Sequence, residues 1–581
     1  VEDLIKAGDA VESLRAAGLI ERLVHIQASK YNHVWHAPNL PSDQHPNILL
    51  IDQTRGDLSV AYGLADENSF KQMVDAAVKR YPRGRFFVKT HPDVIAGKKS
   101  GYLTGKLPPE VTSISQDCNP IALLQQMDHV FTVTSQMGFE ALLAGKPVTC
   151  FGMPFYAGWG LTDDRMDSPR RGVRRSLEQV FTAAYINYVR YVDPVTGQRC
   201  ELERILDLID NHKRIVIQNR GDIYCTGFQW WKRGIVKRFL GSANSNIHFL
   251  KHQLARKIDR KIEKIEGTTR LLVWGASEGR QLRDLARRHR IVIERVEDGF
   301  IRSVGLGSDL GKPTSLILDG RGIYFDPRRP SDLENMLNSV ELDLAARNRA
   351  TRLRRLIVDS GLSKYNSGCG GMDALCSTEK PVILVPGQVE DDASIQTGCP
   401  DVKTNIELLR AVRQANPDAC IVFKPHPDVV VGNRVGTVPD NLAKTLCDHI
   451  VIDRDIDRCI DQADQIHTMT SLTGFEALLR GKTVYTYGLP FYAGWGLTVD
   501  RHRCPRRLKR RSIDELLYCA LVLYPRYYDW EAGMFVSVED AIQSILRART
   551  ARQEMLRVSW WRRWSRKSAY LWENIGLLVK E

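Results

Sequence analysis

The chain contains two copies of one long segment. The nonapeptide PFYAGWGLT occurs at residues 154–162 and again at 490–498. The longer stretches 135–162 and 471–498 align without a gap and agree at most positions. A solenoid repeat has a period of roughly 20–50 residues, and the two copies lie much farther apart than that. The sequence therefore predicts a duplicated domain.

The match extends far upstream of the nonapeptide. Gln53 and His91 have the same spacing in the first copy as Gln388 and His426 in the second. The second copy is also preceded by a segment, about 214–332, that the first copy lacks, and the chain does not begin with Met. We therefore expect a fragment whose first module has lost its amino-terminal half.

Composition favours a globular protein that binds anions. Of the 581 residues, 43% are hydrophobic, which is enough for several domains, and no run approaches the roughly 18 apolar residues of a spanning helix. The net charge of +13 fits nucleotide phosphates or anionic lipids; without a DNA- or RNA-binding signature, we expect no nucleic-acid partner. The 12 cysteines have no CxxC or Cys/His spacing, so free thiols are favoured and no metal is expected.

Each copy alternates short apolar runs with amphipathic segments. In the second copy, PVILVPG and CIVFKPHPD are typical of buried parallel strands, and Thr404 stands at the cap of the helix between them. This order predicts a doubly wound α/β sheet with ligands at the carboxyl ends of the strands. TRLLVWG and RIVIERVEDGF repeat the alternation upstream, so we expect two Rossmann-like lobes joined by a linker around 327–361.

The chain is predicted to divide into four parts. They are the donor-binding part of module one (1–210), the amino-terminal acceptor lobe of module two (211–345), its carboxy-terminal donor lobe (346–545) and a basic, Trp-rich tail (546–581).

An aspartate follows a glutamine at the same spacing in both copies. Asp392 lies four residues after Gln388, and Asp57 lies four after Gln53. A carboxylate at the end of a buried strand can act as a nucleophile or base at a sugar's anomeric carbon. The alternative is an ordinary helix cap or loop aspartate.

A His-Pro-Asp motif follows the next strand in each copy, with a lysine ahead of it. A histidine and a lysine there suit a phosphate group, and the proline can begin a helix whose free N–H groups add to the anion site. The alternative is a packed loop. The candidates are Lys89, His91 and Pro92 in the first copy and Lys424, His426 and Pro427 in the second.

The third shared motif is T-S-x-x-G-F-E-A-L-L at the start of a helix. Ser135 and Ser471 can bind a phosphate together with backbone amides, and Glu140 and Glu476 can accept from ribose hydroxyls. The alternative is a serine cap with a glutamate that complements the helix dipole. The nonapeptide itself contains no strong acid, base or nucleophile, so it either walls a pocket or only packs.

The second copy alone is preceded by RVEDGF. Glu297 or Asp298, at the end of an upstream strand, could take a proton from an acceptor hydroxyl, although Asp-Gly is also a plain turn signal.

Together these motifs, in two tandem copies, resemble the capsule polysaccharide β-Kdo transferases of the KpsC type over about residues 1–535. The resemblance implies tandem GT-B-like, two-lobed Rossmann-type modules, the first truncated at its amino terminus. It also implies a retaining, metal-independent glycosyltransferase without a cofactor. Its donor substrate is CMP-β-Kdo, and it builds the poly-Kdo linker of capsule on a lysophosphatidylglycerol acceptor in Gram-negative bacteria.

The resemblance also assigns roles by position. It implies a Kdo–aspartyl nucleophile at Asp392 and Asp57 and an acceptor-activating carboxylate at Glu297 or Asp298, with Asp298 preferred. The donor phosphate would meet His426, His91, Ser471 and Ser135.

Tryptophans and basic residues alternate in the tail, 557–581, and in FQWWKRGIVKRFL at 228–240. They suit an interfacial helix on an anionic inner leaflet, so we expect a cytoplasmic protein at the inner face of the membrane; the alternative is a docking helix. Other capsule biosynthesis proteins are further expected partners. Two rival functions stay open: another CMP-sugar transferase of sialyl type, or a non-catalytic nucleotide-sugar-binding scaffold.

Overall fold

The chain forms two compact units, Val1–Ile217 and Gln218–Glu581. The computed structural model describes residues 1–8, 12–41, 44–103, 107–114, 116–242, 244–250, 269–275, 278–303, 312–362, 379–432 and 434–555. Residues 557–581 of the predicted tail lie outside these ranges.

The first unit is built on a six-stranded, fully parallel sheet. Its order is β3-β2-β1-β4-β5-β6, that of a doubly wound fold. Along β1, Ile48 and Leu50 pack on one face and Leu49 and Ile51 on the other, which explains why the strand is apolar at nearly every position. The strands are β1 (Asn47–Ile51), β2 (Arg85–Lys89), β3 (Val111–Ile114), β4 (His129–Thr132), β5 (Val148–Cys150) and β6 (Asp163–Asp164).

Helices connect these strands, and a small antiparallel ribbon of β7 (Tyr191–Val192) and β8 (Arg199–Cys200) follows them. The α-helices are Glu2–Ala7, Ser13–His25, Leu58–Tyr62, Glu67–Arg80, Pro92–Ile95, Pro120–Leu124, Gln136–Leu143, Leu177–Phe181 and Leu202–Gln218, with a 3-10 turn at Pro169–Arg171 and a π-helix at Thr182–Tyr188.

The second unit contains two sheets, and the upstream one is mixed. Its order is β10-β9-β11-β12-β13-β20-β21, parallel from β10 to β12 and antiparallel from there on. The strands are β9 (Gly221–Thr226), β10 (Ser245–Leu250), β11 (Thr269–Trp274), β12 (Val292–Asp298), β13 (Ser315–Asp319), β20 (Pro525–Asp529) and β21 (Met534–Val536).

The downstream sheet repeats the parallel sheet of the first unit. Its order is β16-β15-β14-β17-β18-β19, and all its pairs are parallel. The α/β class and the doubly wound parallel sheets are thus confirmed. The strands are β14 (Val382–Pro386), β15 (Cys420–Lys424), β16 (His449–Ile450), β17 (Gln465–Thr468), β18 (Thr483–Thr486) and β19 (Val499–Asp500).

The helix Asn405–Ala415 begins where the sequence predicted, because the Thr404 hydroxyl accepts the Glu407 N–H at 3.2 Å. The unit's other α-helices are Arg233–Leu240, Arg280–His289, Asp332–Ser339, Leu344–Asp359, Ala393–Gly398, Pro427–Val430, Asp440–Leu446, Ile456–Gln462, Leu472–Leu479, Ile513–Leu517 and Val538–Met555, with a 3-10 turn at Trp230–Lys232 and a π-helix at Tyr518–Leu523.

Two segments differ from the sequence prediction. The expected linker around 327–361 is largely helical, in Asp332–Ser339 and Leu344–Asp359. β20 and β21, expected in the donor lobe, instead extend the upstream sheet, because β20 pairs with β13. Strand pairing over such a distance leaves no local signal in the sequence.

The apolar side of the helix in the basic segment 228–240 packs inside the protein. The helix Arg233–Leu240 buries Ile235, Val236 and Phe239, and the Phe239 ring contacts Tyr528. This burial favours the docking alternative for this helix. Among the described residues, no helix is both long enough and apolar enough to cross a membrane.

Candidate active site

The candidate nucleophiles and the shared serines follow the strands at which each parallel sheet reverses its order. β1 and β4 are neighbours in the first unit, and β14 and β17 are neighbours in the second. The loops after such strands run to opposite faces of the sheet and leave a crevice that binds ligands. Strand order therefore explains why the shared motifs cluster.

One glutamine joins these two loops in each unit. The Gln388 side-chain carbonyl accepts the Thr470 N–H at 2.9 Å, and its amide donates to the Thr470 hydroxyl at 3.0 Å. Gln53 and Thr134 make the same two bonds at 2.9 and 3.0 Å. Both glutamines are buried, so their first role is to fix one loop against the other.

Each candidate nucleophile caps a short helix. Oδ1 of Asp392 accepts the Ser394 N–H at 2.9 Å, and Oδ1 of Asp57 accepts the Ser59 N–H at 2.9 Å. The capping alternative is therefore correct for one oxygen of each carboxylate. Within the described ranges, Oδ2 of Asp392 accepts no hydrogen bond and is left for a ligand.

The environment of Asp57 favours its ionised form. Burial raises the pKa of this carboxyl, but hydrogen bonds from Ser59 and Gln53 and the nearby His91 outweigh burial, so its pKa lies below the ordinary value. An ionised carboxylate is the form that a nucleophile needs.

The two HPD histidines have the same orientation. Nδ1 of His426 accepts the Asp428 N–H at 3.2 Å, and Nδ1 of His91 accepts the Asp93 N–H at 3.1 Å. A ring nitrogen that accepts carries no proton in the neutral ring, so Nε2 is the donor. Pro427 and Pro92 begin the following helices, as predicted.

The two lysines are nearly buried at the ends of β15 and β2. Nζ of Lys424 donates to the Ile452 carbonyl at 3.2 Å, and Nζ of Lys89 donates to the Gln116 carbonyl at 3.0 Å. Burial lowers the pKa of Lys424, although nearby carboxylates partly offset this effect. An anion beside Lys424 would favour its charged form.

The shared serines cap the helices that follow β4 and β17. The Ser471 hydroxyl accepts the Thr473 N–H at 3.2 Å, and the Ser135 hydroxyl accepts the Met137 N–H at 3.3 Å. The N–H groups of a first helical turn have no partner within the helix, so these positions suit a phosphate.

The two glutamates lie deeper than expected. Glu476 and Glu140 are 8% and 5% exposed. Oε1 of Glu140 accepts the Lys30 N–H at 3.2 Å, and burial raises the pKa of Glu140 to about 7. Glu140 is thus a buried, partly neutral group.

The repeated nonapeptide packs beneath the serine-capped helices. The Tyr492 hydroxyl donates to the Ser471 carbonyl, and the Tyr156 hydroxyl donates to the Ser135 carbonyl at 2.6 Å. A Cβ on Gly474 would lie 2.3 Å from the Tyr492 oxygen, so the tyrosine requires glycine in the helix. The tyrosine therefore packs, while Pro490 and Phe491 of the second nonapeptide also line a cavity of the second unit.

A cavity of about 800 Å³ lies between the two sheets of the second unit. The mixed sheet and its loops contribute an acidic and an aromatic wall that includes Glu297, Phe300 and Tyr324. The opposite wall contains the donor-side candidates of the second copy, namely Gln388, Asp392, Lys424, His426, Pro427, Ser471 and Glu476.

The structure distinguishes the two upstream carboxylates. Neighbouring residues of a strand point to opposite faces, and Glu297 is the one that lines the cavity. Asp298 accepts from Nε of Arg302 at 2.8 Å. The preference for Asp298 is therefore replaced by Glu297, a choice that depends on which face of β12 meets the cleft.

Two arginines of the cavity, Arg434 and Arg454, were not among the predicted residues. Arg434 donates to Oδ1 of Asp391 at 3.0 Å. Arg434 aligns with Lys99, so both copies have a basic residue at this position. A comparison that looks only for identical residues overlooks this signal.

In the described ranges, no group of three His, Cys, Asp or Glu side chains could hold a metal ion.

The chain matches the family described as capsule polysaccharide biosynthesis protein over residues 9–199, 269–369 and 370–527. It is 44% identical over 565 residues to the capsule polysaccharide modification protein LipA of Neisseria meningitidis serogroup B, covering 94% of this chain and 79% of LipA. It is 43% identical over 275 residues to the lipopolysaccharide-processing protein LpsZ of Rhizobium meliloti, covering 47% of this chain and 62% of LpsZ.

Two solved structures of KpsC from Thermosulfurimonas dismutans are also similar. The β-Kdo 2,7 transferase is 39% identical with a TM-score of 0.46, covering 56% of this chain and 99% of its own. The β-Kdo 2,4 transferase is 32% identical with a TM-score of 0.48, covering 56% of this chain and 97% of its own.

Proposed function

This chain belongs to the capsule polysaccharide biosynthesis protein family, and we propose that it is a retaining β-Kdo glycosyltransferase. The donor is CMP-β-Kdo and the acceptor is a lysophosphatidylglycerol-linked Kdo chain. The cavity of the second unit carries the proposal, because a candidate nucleophile, an anion site and a candidate base line its facing walls. Two lobes around such a cavity fit the GT-B arrangement.

The donor phosphate is held at the downstream wall. Ser471 and the first helical turn behind it provide hydroxyl and N–H donors, and His426 adds Nε2–H. Lys424 supplies a cation whose desolvation the phosphate offsets. Cytidine monophosphate carries one phosphate, so these protein donors can hold the leaving group without a metal.

Asp392 then attacks the anomeric carbon of Kdo. Its Oδ1 is held by the Ser394 N–H, which leaves Oδ2 to form the new C–O bond as the bond to the phosphate oxygen breaks and CMP leaves. The product of this step is a Kdo–aspartyl ester.

Glu297 completes the transfer from the opposite wall. It takes the proton of an acceptor hydroxyl as that oxygen attacks the same carbon and the aspartyl ester bond breaks. Two displacements at one carbon retain its configuration. Phe300 and Tyr324 add aromatic surface against which sugar rings can pack.

The first unit contains the donor-side set of this mechanism. Asp57, Lys89, His91 and Ser135 repeat the contacts of their second-unit counterparts. We propose that it is a second CMP-β-Kdo site of a tandem enzyme. The proposed lipid-linked acceptor and the net charge of +13 support a reaction at the inner face of the cytoplasmic membrane.

Intact-protein mass spectrometry with an enzymatic supply of CMP-Kdo tests the mechanism. We expect a Kdo-sized mass increase that Asp392→Asn removes from the second unit and Asp57→Asn from the first. Asp453→Asn is the matched control, because Asp453 also lines the cavity but follows a different strand, β16. If the protein binds CMP but forms no adduct and releases no CMP from CMP-Kdo, a non-catalytic scaffold is favoured. If an adduct forms only with another CMP-sugar, that sugar replaces Kdo as the proposed donor.

A further inference from the structure

A short loop covers the candidate nucleophile loop in both units. We name residues 99–103 and 434–438 the covering loops, and residues 52–57 and 387–392 the nucleophile loops. The Arg55 N–H donates to the Ser100 carbonyl at 2.8 Å, and the Glu390 N–H donates to the Val435 carbonyl at 3.0 Å. These four residues occupy equivalent positions of the duplication, so the loops meet in one register.

In the first unit a buried carboxylate fastens the two loops together. Oδ1 of Asp52 accepts the N–H groups of Tyr102 at 3.0 Å and Leu103 at 3.1 Å, both in the covering loop. It also accepts the Gln53 N–H at 2.9 Å. The neighbouring Phe70 stacks on Tyr102, with ring centroids 4.2 Å apart.

The second unit has neither residue. Gly387 replaces Asp52, and a Cβ there would lie 3.1 Å from Cα of Pro425 and 3.2 Å from the Phe423 ring, so a side chain has little room. Asn405 stands at the position of Phe70.

Asn405 makes the connection from this other position. Its Nδ2 donates to the Gly436 carbonyl in the covering loop and to the Gln388 carbonyl in the nucleophile loop, both at 2.8 Å. Its Oδ1 accepts the Gln388 N–H at 2.9 Å. The side chain is 1% exposed, so water cannot replace these bonds cheaply.

We propose that Asp52 and Asn405 are equivalent positioning residues, each fastening the covering loop to the nucleophile loop from a different position of the duplicated fold. The two units differ at both positions together. The first unit has Asp52 and Phe70, and the second has Gly387 and Asn405 at the equivalent positions. The connection between the loops is what both units share.

The connection acts on the reacting group through the loop that carries it. Arg434 of the covering loop pairs with Asp391, the residue directly before Asp392. A loosened covering loop therefore frees the segment that aims Asp392. The catalytic consequence rests on the proposed function, whereas the connection itself does not.

Asp52 and Asn405 make different kinds of hydrogen bond, so the Asp–Asn exchange has different expected effects at the two positions of the full chain. Asp52 only accepts, so Asp52→Asn keeps the bonds to Tyr102 and Leu103 while Asp52→Ala loses them. Asn405 also donates, so Asn405→Asp sets a carboxylate oxygen against two carbonyls. Asn416→Asp is the matched control, because Asn416 caps the far end of the same helix.

Hydrogen exchange by NMR or mass spectrometry reads the connection without any substrate. We expect the Gln388 and Glu390 amides to exchange about tenfold faster or more in Asn405→Asp, and those of Tyr102 and Leu103 in Asp52→Ala. Asp52→Asn and Asn416→Asp should exchange like the wild type. The proposal is overturned if the amides of Asn405→Asp exchange at the wild-type rate. It is also overturned if Asp52→Asn and Asp52→Ala lose the same protection at Tyr102 and Leu103.

Kinetics then test the positioning role. In Asn405→Asp we expect kcat for Kdo transfer to fall about tenfold or more, with CMP affinity within about threefold of the wild type. A fall in CMP affinity alone, or an unchanged kcat, overturns the positioning role. If Asn405→Asp fails to fold, Asn405→Ala and the Asp52 pair give the same comparison. Exchange as expected with no Kdo transfer by any protein, wild type included, refutes the proposed function and leaves the connection standing.

Discussion

Glu140 illustrates how burial changes the chemistry of a single residue. Its place near a helix start predicted a charged group for ribose hydroxyls. In the structure it is 5% exposed and has the Lys30 N–H as a partner, and burial raises its pKa to about 7. The folded state therefore holds this proton at pH values where the unfolded chain has lost it, and stability falls as pH rises from about 4.5 to about 7.

We expect Glu140→Gln to stabilise the first unit at high pH. The amide keeps an acceptor for Lys30 but cannot ionise, so the free energy of unfolding should rise by up to roughly 3 kcal/mol at pH 8. At pH 5 the gain should be less than about 1 kcal/mol. Urea unfolding followed through the buried Trp159 measures both values; equal gains at the two pH values would contradict this origin.

At the scale of elements, the nonapeptide and the helix after β4 depend on each other. The Tyr156 hydroxyl reaches the Ser135 carbonyl only by passing close to the helix backbone at Gly138. A Cβ on Gly138 would lie 2.1 Å from the Tyr156 oxygen. The glycine in GFEALL and the tyrosine in PFYAGWGLT are therefore one packing unit, which explains why both copies keep both.

We expect Gly138→Ala to destabilise the first unit by about 2–3 kcal/mol or more, because the methyl group must displace the buried Tyr156 ring. Gly172→Ala is the matched control, since a Cβ there meets nothing within 4 Å and the backbone is not left-handed. Chemical denaturation of the two variants compares them. Equal midpoints would show that the ring can move aside.

At the scale of the whole molecule, the second unit contains a complete cleft. Every residue that lines the cavity lies between Gly275 and Phe491. The upstream wall also depends on the chain's return, because β20 and β21 complete the mixed sheet beside β13.

A chain limited to residues 218–581 is therefore expected to bind CMP and transfer Kdo as the second unit does in the full chain. Isothermal titration with CMP and intact-mass detection of the adduct measure the two activities. The same chain with Asp392→Asn should keep CMP binding and lose the adduct. A folded 218–581 chain that does not bind CMP would show that the cavity is not a self-sufficient donor site.

Local sequence patterns were enough to predict the repeated strands, helix caps and shared motifs. The duplication, the parallel strands, the Thr404 and serine caps and the shared Asp392 were all readable, because apolar periodicity and capping depend on residues close together in the chain. The shared spacing also predicted that the motifs meet at one edge of the sheet, because successive parallel strands end there.

Only the tertiary structure decided what depends on distant partners. It set Glu297 rather than Asp298 against the cavity, joined β20 to β13, and turned the apolar side of Arg233–Leu240 inward. Comparison of the two copies could not find Asp52 and Asn405, because one connection is made from two unmatched positions. Comparison by identity finds only residues that are shared at equivalent positions. A hydrogen bond requires only that a donor and an acceptor lie close together, and the fold can bring them together from different positions.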